Sequence, residues 1–309
     1  DLHLSIRRQR QMCIRDRVQQ SERESIVSEP ELIKIGMSDC RNSLFERLIN
    51  IQKKNGSEDF IHMLFKQGRM HPEISSFSNE IFYEKKLKPI PLKHQLEILH
   101  CPIYDKSDGL QNLIASHRLA FIVSKGDKNP ISDKTNKDEA IRISALLKTI
   151  YTINKNNFNP QTVGVIVPYR NQIALIRKEI KQLNIPALSD ITIDTVERYQ
   201  GSERDFIIYG FTVQKIYQLE FLTGNVFKDN GQTIDRKLNV VLTRARKQLF
   251  LIGNPQILSY NIIFQKLIKF IDNRQGVCDI PTEYFIQGKF SCSPADKTSV
   301  PDSRQKLNV

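Results

Sequence analysis

Two arginines two residues apart, Arg244 and Arg246, close the apolar run Leu238-Asn239-Val240-Val241-Leu242-Thr243. The chain then returns to apolar residues at Leu249-Phe250-Leu251-Ile252-Gly253. Burying an unpaired guanidinium is costly. Arginines in such a run are therefore ion-paired, on a solvated face, or presented to an anion. Two further segments carry residue types suited to phosphate. Gln67-Gly68-Arg69-Met70-His71-Pro72-Glu73-Ile74 supplies a third arginine. Asp194-Thr195-Val196-Glu197-Arg198-Tyr199-Gln200-Gly201-Ser202-Glu203-Arg204-Asp205 combines a hydroxyl, a glycine and acids just before the apolar run Phe206 to Phe211. A fourth, Val167-Pro168-Tyr169-Arg170-Asn171-Gln172, puts an aromatic ring and a cation immediately after Val163–Val167. Open α/β sheets bind ligands at such carboxyl ends of strands.

Arginine suits anion chemistry because its planar fork binds phosphate bidentately and stays charged. Thr195 can donate a hydroxyl to a phosphate, or can simply be a β-branched residue ending a strand. Gly201 either lets the backbone approach a ligand closely or makes an ordinary turn. Arg170 on its own is a surface charge.

The elements that must position these groups alternate between strand and helix. Short apolar runs bounded by polar turns occur at Leu119–Val123, Val163–Val167, Ile191–Ile193, Phe206–Val213 and Leu249–Ile252. Continuous apolar runs suit strands covered on both faces of a parallel sheet. Helical periodicity is expected over 138–153, with Ile141, Ala145, Leu146 and Thr149 on one face. It is expected again over 171–183, with Ile173, Ile176 and Ile180, and over 261–271, with Ile263, Leu267 and Phe270 inward. The alternation predicts a doubly wound parallel α/β sheet flanked by helices. Residues 215–236 read as a long connector ordered only with a partner.

A phosphate cradle of the form Gly-x-x-x-x-Gly-Lys-Ser/Thr does not occur in the sequence. Gly288-Lys289 is followed by Phe290, and Lys128 lacks the preceding glycines. Asp138-Glu139 imitates a magnesium-binding acidic pair but follows a polar stretch, not an apolar strand. The pair is expected in the first turn of a helix capped by Asn136.

Lys and Arg number 46 against 34 Asp and Glu, a net charge of +12. That balance favours polyanionic partners, above all nucleic acid. Five cysteines (Cys13, Cys40, Cys101, Cys278, Cys292) are scattered with no Cys-x-x-Cys pair. This argues against a metal cluster and for a reducing compartment. No apolar run approaches the roughly 18 residues needed to span a membrane, and a cytoplasmic location is expected.

In order and spacing, the blocks at 67–74, 194–205 and 238–246 resemble motifs IV, V and VI of superfamily 1 helicases. The branch they resemble includes the up-frameshift RNA helicases and the DNA-replication helicase-nucleases. Ser43–Leu48, Asn79–Tyr83 and Val167–Gln172 match the same family, so the resemblance covers roughly residues 26–272. Gly68 stands where the family carries an aromatic ring, and Val167 where many relatives have Thr.

The resemblance implies a second RecA-like (P-loop NTPase-type) motor domain over 58–275. It makes 18–57 a link from a first motor domain and leaves 276–309 as a tail expected to be disordered, as the Ser, Lys, Asp and Pro content of 288–309 also suggests. Residues 1–17, which carry five arginines, match nothing in the family and read as a non-native extension or a basic arm. With Asp1 as the first residue, the chain reads as a fragment. The implied cofactors are ATP and Mg2+, held mainly by that first domain. The implied partners are single-stranded DNA or RNA. Arg69 and Arg244 become catalytic arginines. Gln67, Gly201, Glu203 and Arg246 become nucleotide contacts or supports. Thr195, Tyr169 and Arg170 become nucleic-acid contacts. The competing expectation is a non-enzymatic nucleic-acid-binding module of the same fold.

Overall fold

The computed structural model describes residues 27–37, 44–56, 61–62, 64–99, 108–127, 130, 132–199, 201–224, 226–229 and 232–287. The arm at 1–17, Gln200 and the tail at 288–309 lie outside them. The chain divides into two compact units. The first comprises residues 1–98, 194–207 and 220–249, and the second 99–193, 208–219 and 250–309.

The described strands are β1 (Lys66–Gln67), β2 (Lys88–Pro89), β3 (Leu119–Val123), β4 (Val163–Val167), β5 (Thr192–Thr195), β6 (Arg204–Gly210), β7 (Val226–Asp229), β8 (Gln232–Asp235), β9 (Ala245–Gly253) and β10 (Val277–Cys278). Six of them form a mostly parallel sheet in the order β10-β3-β9-β6-β4-β5, flanked by helices in a RecA-like α/β fold. β1 pairs with β2 in parallel, and β7 with β8 antiparallel. The register of β6 against β9 advances together: Arg204 N–H donates to Arg244 O at 3.1 Å, and Phe211 N–H to Ile252 O at 3.0 Å. All five residues of β4 are buried, as expected for a strand covered on both faces.

β9 begins four residues before the apolar run at Leu249. Ala245 to Gln248 join it through backbone pairing, to which their mostly polar side chains give no clue. In the second unit Phe211 packs edge-on to Tyr209 and Phe264, with ring centroids 4.6 and 5.4 Å away. Such pairs add roughly 0.5–1.5 kcal/mol beyond burial.

The helix Lys137–Ile153 is capped by Asn136, whose side chain accepts from Glu139 N–H, with Asp138 and Glu139 in its first turn. The expected single face is a correction: the helix is covered on nearly every side, and Ile141 is one of its less buried residues. Arg142 is the reason. It is completely buried. Its Nε donates to Asp138 at 2.9 Å, and its Nη atoms donate to Ile280 O at 2.7 Å and Thr282 Oγ1 at 3.1 Å. Residues 277–287, expected in the tail, are thus structured as β10 and a helix Thr282–Gln287. In the helix Ile262–Asp272, Phe270 is only half-buried, and its ring carries the Arg274 guanidinium 3.6 Å from the centroid.

The 215–236 connector also differs from expectation. Its described residues form a short helix Leu219–Thr223 and the hairpin β7–β8. Asn230-Gly231, a strong hairpin dipeptide, lies between the two strands in sequence. No helix among the described residues is long and apolar enough to cross a membrane.

Candidate functional site

The turn that carries Arg69 is built by Gln67. The Gln67 carboxamide oxygen accepts from Arg69 N–H at 3.1 Å and Met70 N–H at 2.9 Å, while its NH2 donates to Met70 O at 3.0 Å. Gln95 donates to both Gln67 O and Met70 O, and the His94 ring meets Arg69 O at 2.9 Å. Gln67, expected to touch nucleotide, is thus committed to holding the backbone of its own turn. Gly68 lacks the family's ring, and a Cβ there would meet Leu92 Cδ1 at 3.1 Å and Ile90 Cδ1 at 3.5 Å. Leucine and isoleucine therefore line that position.

The turn delivers Arg69 to the other blocks. Its Nε donates to Glu203 Oε2 at 2.7 Å and its Nη1 to Thr243 O at 3.3 Å. His71 N–H, two residues on, donates to Arg246 O at 2.9 Å. The three blocks therefore converge on one place in the first unit.

Arg244 and Arg246 are separated by the start of β9. Side chains i and i+2 share a face only within a strand, and Arg244 stands before the first strand residue. It is 1% exposed, with Nε donating to Val240 O at 3.0 Å and Nη2 to Thr243 Oγ1 at 3.0 Å. Arg246 has a side chain 38% exposed, with Nε 3.8 Å from Glu203 Oε1 and Nη1 3.5 Å from Asp205 Oδ1. Lys247 lies 3.4 Å from Asp205 Oδ2 and 3.8 Å from Glu97 Oε2. No role for Asp205, Lys247 or Glu97 is expected from the sequence motifs. The spacing of Glu203 and Asp205, again i and i+2, was the available signal.

The helix that leads to Arg244, Arg236–Leu242, is buried along its whole length. Asp235 caps it, accepting from Leu238 N–H at 3.0 Å. Burial pushes the Asp235 carboxyl up to about 7, against the opposing pull of that hydrogen bond and of Lys237. Gly201 has φ +86°, and a Cβ there would meet nothing within 4 Å. The conformation, not crowding, calls for glycine. Thr195 ends β5, buried, with its backbone N–H on Asp194 Oδ1 at 2.8 Å.

Tyr169 and Arg170 belong to the second unit. Tyr169 is half-buried just before the helix Arg170–Gln182, and Arg170 is exposed at that helix's first position. Burial, and then the neighbouring Tyr217, raise the Tyr169 hydroxyl pKa. In the same unit Lys215 and Tyr217 both bond Asp133, an arrangement the connector expectation missed. Glu139 is also there, fully buried. It accepts from Thr212 N–H at 2.8 Å and Ser124 Oγ at 3.3 Å, and burial raises its carboxyl pKa well above the usual range.

Chemically, the first-unit arrangement can meet an anion with Arg69 and Arg246. Among the described residues no group of three or more His, Cys, Asp or Glu side chains could hold a metal ion.

A family profile described as AAA domain matches residues 40–256. An uncharacterized ATP-dependent helicase of Methanocaldococcus jannaschii is 29% identical over 75% of this chain and 32% of its own. A DNA replication ATP-dependent helicase/nuclease of Homo sapiens is 26% identical over 83% of this chain and 24% of its own. A regulator of nonsense transcripts 1 homolog of Drosophila melanogaster is 27% identical over 75% of this chain and 18% of its own. The chain thus spans about a third or less of the length of these relatives. With the profile covering most of the sequence, the chain belongs to the AAA domain family, in the form typical of the C-terminal region of superfamily 1 helicases.

Proposed function

We propose that this chain is the second motor lobe of an ATP-dependent helicase or translocase, facing ATP that a first lobe holds. The observation that carries this reading is the meeting of Arg69 and Arg246, from segments far apart in sequence, at the single carboxylate of Glu203. Two cations gathered at one half-exposed carboxylate suit a ligand that carries several negative charges. Arginines placed on the transferring phosphoryl group stabilise charge spread over its oxygens, an effect worth about 10³–10⁵ in rate. Arg69 reaches such a group directly. Arg244, the motif VI arginine that the resemblance names, reaches it by exchanging its bonds to Val240 and Thr243.

Mg2+ would supply further charge neutralisation between phosphates. The described residues offer no cluster for it, and the ion is assigned to the first lobe. This chain, as the second lobe, contacts single-stranded nucleic acid with Thr195 of its first unit and, separately, with Tyr169 and Arg170 of its second, holding the backbone without reading bases. Steady-state phosphate release by the full-length protein tests the proposal, with Arg69→Ala compared to wild type at saturating ATP and nucleic acid. A drop of about 10² or more supports it; unchanged turnover overturns it.

A further inference from the structure

Six side chains in the first unit form a ladder of alternating charge. In order they are Glu97, Lys247, Asp205, Arg246, Glu203 and Arg69, each within 4 Å of the next. Glu203 is the rung that differs. Its two oxygens face two different arginines, Oε2 to Arg69 Nε at 2.7 Å and Oε1 to Arg246 Nε at 3.8 Å, and it is 44% exposed. Asp205 holds Arg246 from the other side through Nη1. A carboxylate shared between two guanidinium forks stands where an oxyanion would be expected. The backbone beneath it is held, with Arg204 Nη1 donating to Glu203 O at 2.6 Å and Arg204 N–H to Arg244 O at 3.1 Å, so an exchange of partners falls to the Glu203 side chain.

We propose that Glu203 is an internal stand-in for phosphate. It keeps Arg69 and Arg246 extended and aimed while the site is empty, and it yields them when a polyphosphate arrives. Asp205 and Lys247 keep the far side of Arg246 anchored through the exchange. Glu203 is thus a positioning residue that trades resting affinity for preorganisation. Losing it removes a competitor for the arginines and at the same time loosens them. The inference rests on the proposal that Arg69 faces the nucleotide phosphates.

The two roles separate in the binding of inorganic tripolyphosphate, which has no ribose, to the 309-residue chain. Glu203→Gln keeps the shape and removes the charge. It is expected to tighten tripolyphosphate binding by roughly two- to tenfold, the range that two partly exposed ion pairs represent. It should also change the Arg69 Nε–H resonance in 15N-labelled protein even before ligand is added. In Glu203→Gln/Arg69→Ala the gain should shrink. Equal or weaker tripolyphosphate binding by Glu203→Gln overturns the stand-in role. Failure of the underlying reading looks different: Arg69→Ala then binds tripolyphosphate as well as wild type does. A thermal melt of each variant, expected within about 4 °C of wild type because partly exposed ion pairs contribute little stability, shows that the comparison is between folded proteins.

Discussion

Arg244 and Arg246 are two positions apart and live in different environments, and substitution should separate them. Arg244 holds Val240 O and the Thr243 hydroxyl inside the unit. Its removal takes one donor from Val240 O, which keeps the Thr243 hydroxyl, and so costs about 0.5–1.5 kcal/mol for the lost hydrogen bond, with the space left by a buried side chain adding to it. Arg246→Ala removes half-exposed pairs worth about 0–1 kcal/mol. Urea denaturation of this chain should therefore show a lowered midpoint for Arg244→Ala and a nearly unchanged one for Arg246→Ala. In the full-length protein, Arg244→Ala is expected to lower turnover more than Arg246→Ala while nucleotide affinity stays within about tenfold. The opposite order would make Arg246 the arginine that acts on the transition state. Gly201→Ala should cost about 1–2 kcal/mol through its left-handed backbone alone, since no atom lies near the added methyl. Sequence made the arginines, the glycine and Glu203 legible by type. It could not show that the strand boundary falls between Arg244 and Arg246, because that boundary is set by backbone pairing with β6. Nor could it show that the Gln67 carboxamide is consumed by its own turn.

At the scale of elements, the helix Arg236–Leu242 and the segment at 277–287 each depend on one buried ionisable group. Burial raises the Asp235 carboxyl to about 7 in the fold, well above the ordinary carboxylate range of the unfolded chain. The folded form then binds the proton more tightly than the unfolded form. The resulting stability is present below pH 4, falls as pH rises from about 4 to about 7, and is flat above. Glu139, raised in the same direction by burial, adds to that slope. Asp235→Asn keeps a capping oxygen and cannot ionise, so its urea midpoint should vary less with pH across this window. A wild-type midpoint that rises from pH 4 to 7, or an Asn variant with the same slope, would contradict the assignment. For the second element, Arg142→Ala leaves Asp138 buried without its guanidinium and should cost about 3–5 kcal/mol. Hydrogen exchange should then quicken first in 277–287, which Arg142 ties through Ile280 O and Thr282. Periodicity found the central strands and the main helices because apolar runs and caps are local signals. It missed 277–287 because a two-residue strand and a six-residue helix have no period to read, and their hold is a contact 138 positions away.

For the whole molecule, the sequence contains no Gly-x-x-x-x-Gly-Lys-Ser/Thr run, and among the described residues no carboxylate cluster can hold a metal. Arginines that stabilise a transition state have nothing to act on unless the nucleotide is cradled and its charge partly neutralised. The 309-residue chain is therefore expected to release phosphate from ATP no faster than buffer, with magnesium and single-stranded nucleic acid present. Binding is a separate property. A net charge of +12 should give weak association with single strands and a steep salt dependence, since each phosphate contact releases counterions. Fluorescence anisotropy of a labelled oligonucleotide, read between 50 and 200 mM salt, measures that slope. Deleting residues 1–17 removes five arginines and two aspartates, and the basic excess survives. The shortened chain should keep measurable binding with a shallower slope. Complete loss of binding on that deletion would move the interaction from the lobe to the arm. Tyr169→Ala in the shortened chain is the discriminating partner. If it weakens binding while the salt slope stays constant, the ring contributes stacking; if the slope also falls, the variant has disturbed the cationic surface instead.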